Sequence, residues 1–277
     1  MPQILKGLSY TDYCKIPALR FSDAKEFRKT PLHARHAILN PREDTASTIL
    51  GTAFHTLLLE PEKFSQYVVA PKVDKRTKEG KLTWAEFEAN NPNAICLSQQ
   101  EHDALVGMND SALAHPLVQS LIARPSLREV VITWNETVRR GEETVIQPCK
   151  ARIDWVVKDK QTFVIDVKTT RDASAEEFMR SISKYAYHAQ AASYLRAVNA
   201  AAPITGSRRF IWLVVENVAP YGCAVYEASE GMLQQGEGDY YSWVQQYVES
   251  TQTGFWPGYP SAVLQIDLPK WAQRELE

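Results

Sequence analysis

The sequence predicts an α/β (mixed α+β) fold: a central mixed sheet flanked by helices, carrying a mainly helical N-terminal extension. Three observations predict it. Up to about residue 125 the chain has helical patterning, punctuated by prolines. At Ser126 the composition turns to Val, Ile, Thr and Trp, and three strand-like runs follow closely. After them come a helix, two more strand-like runs and a closing helix.

In order, residues 20–68 read as helical, with Pro31, Pro41 and Pro61 as punctuation. Val69–Leu82 is polar and basic and reads as a flexible loop. Residues 84–124 read as mostly helical, interrupted at Asn91-Pro92 and His115-Pro116. Strands are expected at Leu127–Val138, Thr144–Val157 and Phe163–Thr169, joined by turns at Gly141-Glu142 and Asp159-Lys160. The pattern Ser174-x-x-Glu177 reads as a capping box that opens a helix. That helix runs to about Ala201, with a break near Ser183-Lys184. Arg209–Glu216 and Cys223–Glu227 read as strands and Met232–Val248 as the last helix. The chain is read as one domain over 1–277: a helical part at 1–125, a core at 126–250 and a tail at 251–277. No internal repeat or low-complexity tract is present.

The composition is that of a globular protein, with 44% hydrophobic and 23% charged residues among 277. No run approaches the roughly 18 apolar residues a spanning helix needs, and MPQILKGLSYTDYCK lacks a signal-peptide apolar region, so a cytoplasmic location and no membrane are expected. Cys14, Cys96, Cys149 and Cys223 are scattered without a CxxC pair, which argues for reduced thiols rather than a zinc knuckle. No GxGxxG or Walker A pattern supports a nucleotide-cofactor enzyme. Net charge is −2, yet Lys15, Arg20, Lys25, Arg28, Lys29, Arg35 and Arg42 face only Asp23 and Glu26 in their stretch. The segment from Glu227 onward is acidic. The basic excess, Lys25 and Arg28 included, suits a polyanion, and a solvated helix face explains it equally well. The Lys72–Lys81 loop carries the same two readings.

The chemistry centres on ARIDWVVKDKQTFVIDVKTT, residues 151–170. Two adjacent strands each hold a carboxylate in an apolar run, Asp154 after Ile153 and Asp166 between Ile165 and Val167. Charges rarely sit there uncompensated. Side chains alternate along a strand, so Asp166 and Lys168 share a face, and Asp154 lies across a hairpin from them. Two carboxylates and an ammonium can gather around a divalent cation, which is what phosphodiester hydrolysis needs: charge neutralisation, a positioned water and help for the leaving oxygen. Taken alone, Asp-x-Lys also describes a surface salt bridge.

The strand-turn-strand Asp…Asp-x-Lys pattern resembles the PD-(D/E)xK nuclease superfamily, whose restriction-endonuclease-like core is a mixed sheet between helices. Gln190-x-x-x-Tyr194 in KYAYHAQAASYL is similar to the Gln-x-x-x-Tyr signature of RecB-type nucleases, and GTAFH (Gly51 to His55) resembles their Gly-x-x-x-His element. SDAKEFRKTPLHA and FHTLLLEPEKF look most like the RecE (exonuclease VIII) exonuclease domain and its phage relatives. The resemblance runs from about Leu8 to Tyr247; the "P" position is Ile153 and the D/E position Asp166. It implies catalysis by Asp154, Asp166 and Lys168. It implies a Mg2+ site, with Mn2+ as substitute, formed by His55, Asp154, Asp166 and the Val167 backbone carbonyl. Gln190 and Tyr194 would line the cleft, contacting DNA or orienting the lysine. The implied activity is 5′-to-3′ degradation of double-stranded DNA ends, leaving 3′ single strands for a single-strand annealing protein. The implied assembly is a toroidal homo-oligomer, most simply a tetramer. No iron–sulfur cluster is expected, because the cysteines do not match the clustered spacing of relatives that carry one. A structure-selective or restriction-type endonuclease and a non-catalytic DNA-binding assembly module are the alternatives.

Other residues keep plainer readings. His55 lies in an apolar helix where a lone histidine is commonly a hydrogen-bonded core residue, and Gly51 one turn earlier would admit another backbone. Tyr187 and the seven tryptophans (Trp84, Trp134, Trp155, Trp212, Trp243, Trp256 and Trp271) read as packing. Glu60, Glu142 and Glu143 read as solvated charge. The aromatic, proline-rich tail fits an interface anchor or a segment folded back on its own domain.

Overall fold

The computed structural model describes residues 1–41, 45–158, 161–202 and 207–268. The helical N-terminal part contains β1 (Gln3–Leu5), α1 (Tyr10–Lys15), β2 (Leu19–Arg20), α2 (Phe21–Ala24), a 3-10 turn at Lys25–Arg28, α3 (Pro31–Leu39) and α4 (Ala46–Leu59). A second 3-10 turn (Pro61–Gln66), β3 (Tyr67–Val69), α5 (Lys78–Asn90), β4 (Ile95–Leu97), α6 (Gln99–Ala114) and α7 (Pro116–Ile122) complete it. The core follows as β5 (Ser126–Arg140), β6 (Glu143–Lys158), β7 (Thr162–Thr170), α8 (Ala175–Tyr185), α9 (Tyr187–Ala201), β8 (Arg208–Glu216), β9 (Cys223–Glu227) and α10 (Glu230–Thr253).

The main sheet runs β1-β5-β6-β7-β8-β9, with β2 alongside β6. β5, β6 and β7 form an antiparallel meander, β8 is parallel to β7 after the α8–α9 crossover, and β9 returns antiparallel. The β5–β6 hairpin turns at Gly141, whose φ of +60° suits a two-residue loop between Arg140 and Glu143. Both faces of the sheet are covered, which is why β7 and β8 are almost wholly apolar. One face packs Val164, Phe210 and Trp212 against Phe178, Tyr194, Tyr240 and Trp243 of α8, α9 and α10. The other packs Ile165, Val167 and Leu213 against Phe54 and Leu58 of α4 and Leu105 and Met108 of α6. Alternation along β7 therefore puts Asp166 and Lys168 on the Val164 face, toward α8 and α9. Among the described residues no helix is long and apolar enough to cross a membrane. All four cysteines are free thiols.

Several local expectations need correction. Ser174 is the N-cap of α8, but its side chain makes no capping hydrogen bond. Its backbone N–H donates to Asp172 Oδ1 at 2.8 Å, and Glu177 pairs with Arg180 instead of reaching back. The helix break falls at Ala186, in the left-handed region with φ +58°, rather than near Ser183-Lys184. The Val69–Leu82 loop is shorter than expected: Thr77 accepts from the Gly80 N–H and starts α5 at Lys78. Strands β1 to β4 leave no mark in the sequence pattern; each has two or three residues, too few to display a period of two. Trp134, Trp155, Trp212 and Trp243 are core residues, as their apolar surroundings suggest. Arg42, the Asp159-Lys160 turn, Lys270, Trp271 and Arg274 lie outside the described residues.

Candidate metal centre and active site

The site forms where β6 loses its regular alternation. Ala151 and Ile153 pack on one face of the sheet and Trp155 and Val157 on the other, so the strand slips at Asp154. Opposite the slip, between the registered pairs Arg128↔Trp155 and Val130↔Ile153, stands Glu129 with φ +46°. His55 arrives from α4 with its Nδ1 3.6 Å from Asp154 Oδ2 and 3.9 Å from Glu129 Oε1. Its Nε2 lies 3.0 Å from the Val167 carbonyl oxygen. The Val167 N–H donates to Asp154 Oδ2 at 2.8 Å, tying β7 to the slip. One ligand atom each from His55, Glu129 and Asp154 lie within 4.8 Å of one another.

Asp166 sits one residue beyond the registered pair Trp155↔Ile165, which makes Asp154 its neighbour across the strands. It is 1% exposed. Lys168 Nζ lies 2.5 Å from Asp166 Oδ2 and 4.7 Å from the centre of the Tyr187 ring, so a carboxylate and an aromatic face fix the ammonium together. Beyond it, Gln190 Nε2 donates to Tyr194 Oη at 3.0 Å. Lys168, Tyr187, Gln190 and Tyr194 line a cleft of about 200 Å³ whose other wall includes Arg20 and Lys25.

Burial pushes the Asp166 carboxyl up to about 6, with the Lys168 ammonium opposing and Asp154 reinforcing. Burial likewise raises Asp154, against His55. For His55 burial works against protonation, but Asp154 and Glu129 outweigh it and raise its pKa. Lys168 is raised too: burial opposes, and Asp166 prevails. The site thus holds carboxylates that protein groups only partly neutralise. Asp166 Oδ2 lies against the Lys168 ammonium. Carboxylate and carbonyl oxygens with one imidazole form a donor set for a hard divalent cation, so these residues fit such an ion.

Most expected site residues meet here: His55, Asp154, the Val167 carbonyl, Asp166 and Lys168 adjoin one another, with Gln190 and Tyr194 along the cleft. Among the described residues Glu129 joins His55 and Asp154 in one group of close donor atoms, while the Asp166 carboxylate pairs with Lys168. The sequence signal for Glu129 is weaker than for Asp154, because Arg128 precedes it and only Val130 onward is apolar. Tyr187 is more than packing, since its ring faces the Lys168 ammonium. A Cβ on Gly51 would meet only Thr169 Oγ1 at 3.5 Å, so no backbone approaches it. Glu60 is not simply solvated: it pairs with Lys63 and lies 3.8 Å from Arg152. Glu142 and Glu143 are exposed. Lys25 borders the cleft, whereas Arg28 Nη1 donates to the Lys184 carbonyl at 2.7 Å and braces the end of α8.

Residues 21–265 match the family described as a PDDEXK-like domain of unknown function (DUF3799). The fold is similar to the crystal structure of a "Putative exonuclease" from Eubacterium rectale, with a TM-score of 0.58, 10% identity and 94% of each chain covered. The crystal structure of SSO0001 aligns at 14% identity over 71% of this chain and 87% of that one, with a TM-score of 0.28, too low to bear on the fold. No curated protein sequence matches.

Proposed function

The chain belongs to the PDDEXK-like family, and from that premise we propose that it is a divalent-metal-dependent deoxyribonuclease hydrolysing DNA phosphodiester bonds. One observation carries the reading. Asp154 and Asp166, from neighbouring strands, converge with Lys168 beside a histidine that reaches the Val167 carbonyl from another element.

His55, Asp154, Asp166 and the Val167 carbonyl would hold the cation: Mg2+, with Mn2+ substituting. When bound, it supplies charge neutralisation for the phosphate and acidifies a water. Lys168, held by Asp166 and the Tyr187 face, would position the attacking water and offset charge developing on the phosphate. Asp154 stays fixed by the Val167 N–H, so it need not reorganise during turnover. Gln190 and Tyr194, joined by their own hydrogen bond, would set the cleft wall against the nucleotide, and Lys25 would contact the backbone. The preferred substrate is a double-stranded end, degraded 5′ to 3′ as in RecE-type enzymes, to leave 3′ strands for annealing or recombination. A ring of identical subunits, with the basic N-terminal surface toward the DNA, would suit such an activity. These finer points rest on the resemblance of GTAFH, the Asp…Asp-x-Lys strands and Gln190-x-x-x-Tyr194.

The test is digestion of end-labelled linear duplex beside nicked and closed circles. Linear duplex should be consumed in Mg2+ or Mn2+, should resist in Ca2+, which binds the same oxygens with looser geometry, and should survive in chelator. Cutting of the closed circle would replace the exonuclease with an endonuclease on the same core.

A further inference from the structure

We propose that Glu129 is a further ligand of the metal centre and that Arg152 competes with the cation for its carboxylate. The proposal rests on the reading of His55 and Asp154 as metal ligands. The two oxygens of Glu129 are divided between two neighbours. Oε1 faces the centre, 3.9 Å from His55 Nδ1, within the group of donor atoms that lie no more than 4.8 Å apart. Oε2 lies 2.6 Å from Arg152 Nε. A guanidinium has no acceptor role and cannot share an oxygen with a cation without repulsion. A cation that draws in both Glu129 oxygens must displace it.

Arg152 has somewhere to go. Its Nη2 is already 3.8 Å from Glu60 Oε2, and Tyr10 presents its ring 5.6 Å from the guanidinium carbon. Glu60 caps the end of α4, five positions after His55, so the fallback partner sits at the end of the helix that carries the metal-facing histidine. Glu129 itself stands in the left-handed region within a strand, a conformation that is strained for a non-glycine residue. It interrupts the regular β5–β6 pairing at the point where β6 slips to present Asp154. The distortion therefore serves both carboxylates. A surface ion pair between Glu129 and Arg152 would need neither the slip nor the proximity to His55; both side chains are largely buried, 13% and 18% exposed.

The test is Mn2+ binding by electron paramagnetic resonance, on the full chain, with thermal melts in chelator to show that each variant folds. Glu129→Gln should weaken Mn2+ binding by about tenfold, the scale of loss expected when a carboxylate at a metal centre is neutralised. Arg152→Gln should tighten it severalfold, and that gain should vanish in the Glu129→Gln, Arg152→Gln double variant, because Arg152 acts through Glu129. Wild-type affinity in Glu129→Gln overturns the proposal. So does equal weakening by Glu129→Gln and Arg152→Gln, which would make the pair a structural brace. Should Glu129→Gln not fold, Arg152→Gln alone decides: tighter binding supports the competition, unchanged or weaker binding refutes it. Asp154→Asn separates the two levels, because wild-type Mn2+ affinity there would remove the metal centre itself.

Discussion

Asp166 lies 1% exposed on β7 with Lys168 as its main counter-charge. Desolvation raises its pKa to about 6 in the absence of metal. An unfolded carboxylate titrates near 4. In the metal-free protein the folded state thus holds this proton where the unfolded state has released it, and stability falls as pH rises from about 4 through about 6. Melting curves in chelator across that window should show the fall, and Asp166→Asn should flatten it; an unchanged slope in that variant would place the proton elsewhere. Lys168→Ala should lower turnover by about 10²–10⁴-fold while leaving Mn2+ affinity nearly intact, because an ammonium offers the cation no ligand atom. Near-normal turnover would end its assignment. Asp154, Asp166 and Lys168 were legible in the sequence because charges inside apolar strands are costly, and alternation gives the direction of Asp166 and Lys168. Glu129 carries the first signal only weakly and depends on a backbone slip, and Tyr187 depends on the left-handed Ala186 that starts α9. Neither conformation has a residue-type marker such as glycine.

Elements pack closely around the site at one telling contact. A Cβ on Gly236 of α10 would stand 2.2 Å from the His188 carbonyl oxygen of α9, the helix that carries Tyr187, Gln190 and Tyr194. In an exposed helix, Gly→Ala stabilises by about 1 kcal/mol. Here the clash should reverse that sign, and Gly236→Ala should lose about 1–3 kcal/mol. Gly51→Ala in α4 has only Thr169 Oγ1 at 3.5 Å to meet and should gain about 0.5–1 kcal/mol. Urea unfolding of both variants checks the contrast; a neutral Gly236→Ala would mean that α9 and α10 can separate without cost. The long strands β5 to β9 and the helices α6, α9 and α10 were readable from period and punctuation, with ends shifted by a few residues. The capping box at Ser174 failed because Asp172 supplies a competing acceptor two residues earlier. The strands β1 to β4 exist only through pairing with distant segments, as Leu19 does with Cys149 and Tyr67 with Ile95, and local pattern does not encode that.

For the whole molecule, the N-terminal helices are not an appendage. α4 and α6 form one face of the core and deliver His55, while the chain around α2 and α3 packs on the other with Phe27. The tail is partly accounted for: Trp256 packs against Phe27, Tyr259 against His33, and the Leu32 N–H donates to the Pro257 carbonyl at 3.0 Å. Beyond that anchor Val263 is 100% and Ile266 89% exposed. Sedimentation should show a homo-oligomer, most simply a tetramer, that dissociates when residues 261–268 are deleted; a monomer that still degrades long duplex processively would separate processivity from any ring. With Asp154, Asp166 and Lys168 at the site, DNA hydrolysis should need both the divalent cation and the Asp166 carboxylate. Its most direct measurement is the release of nucleotides from linear duplex by folded wild-type protein and Asp166→Asn, each in Mg2+ and in chelator. The wild type should release nucleotides in Mg2+ alone, with the variant reduced by at least about 100-fold. Release in chelator, or by Asp166→Asn at the wild-type rate, would contradict that requirement.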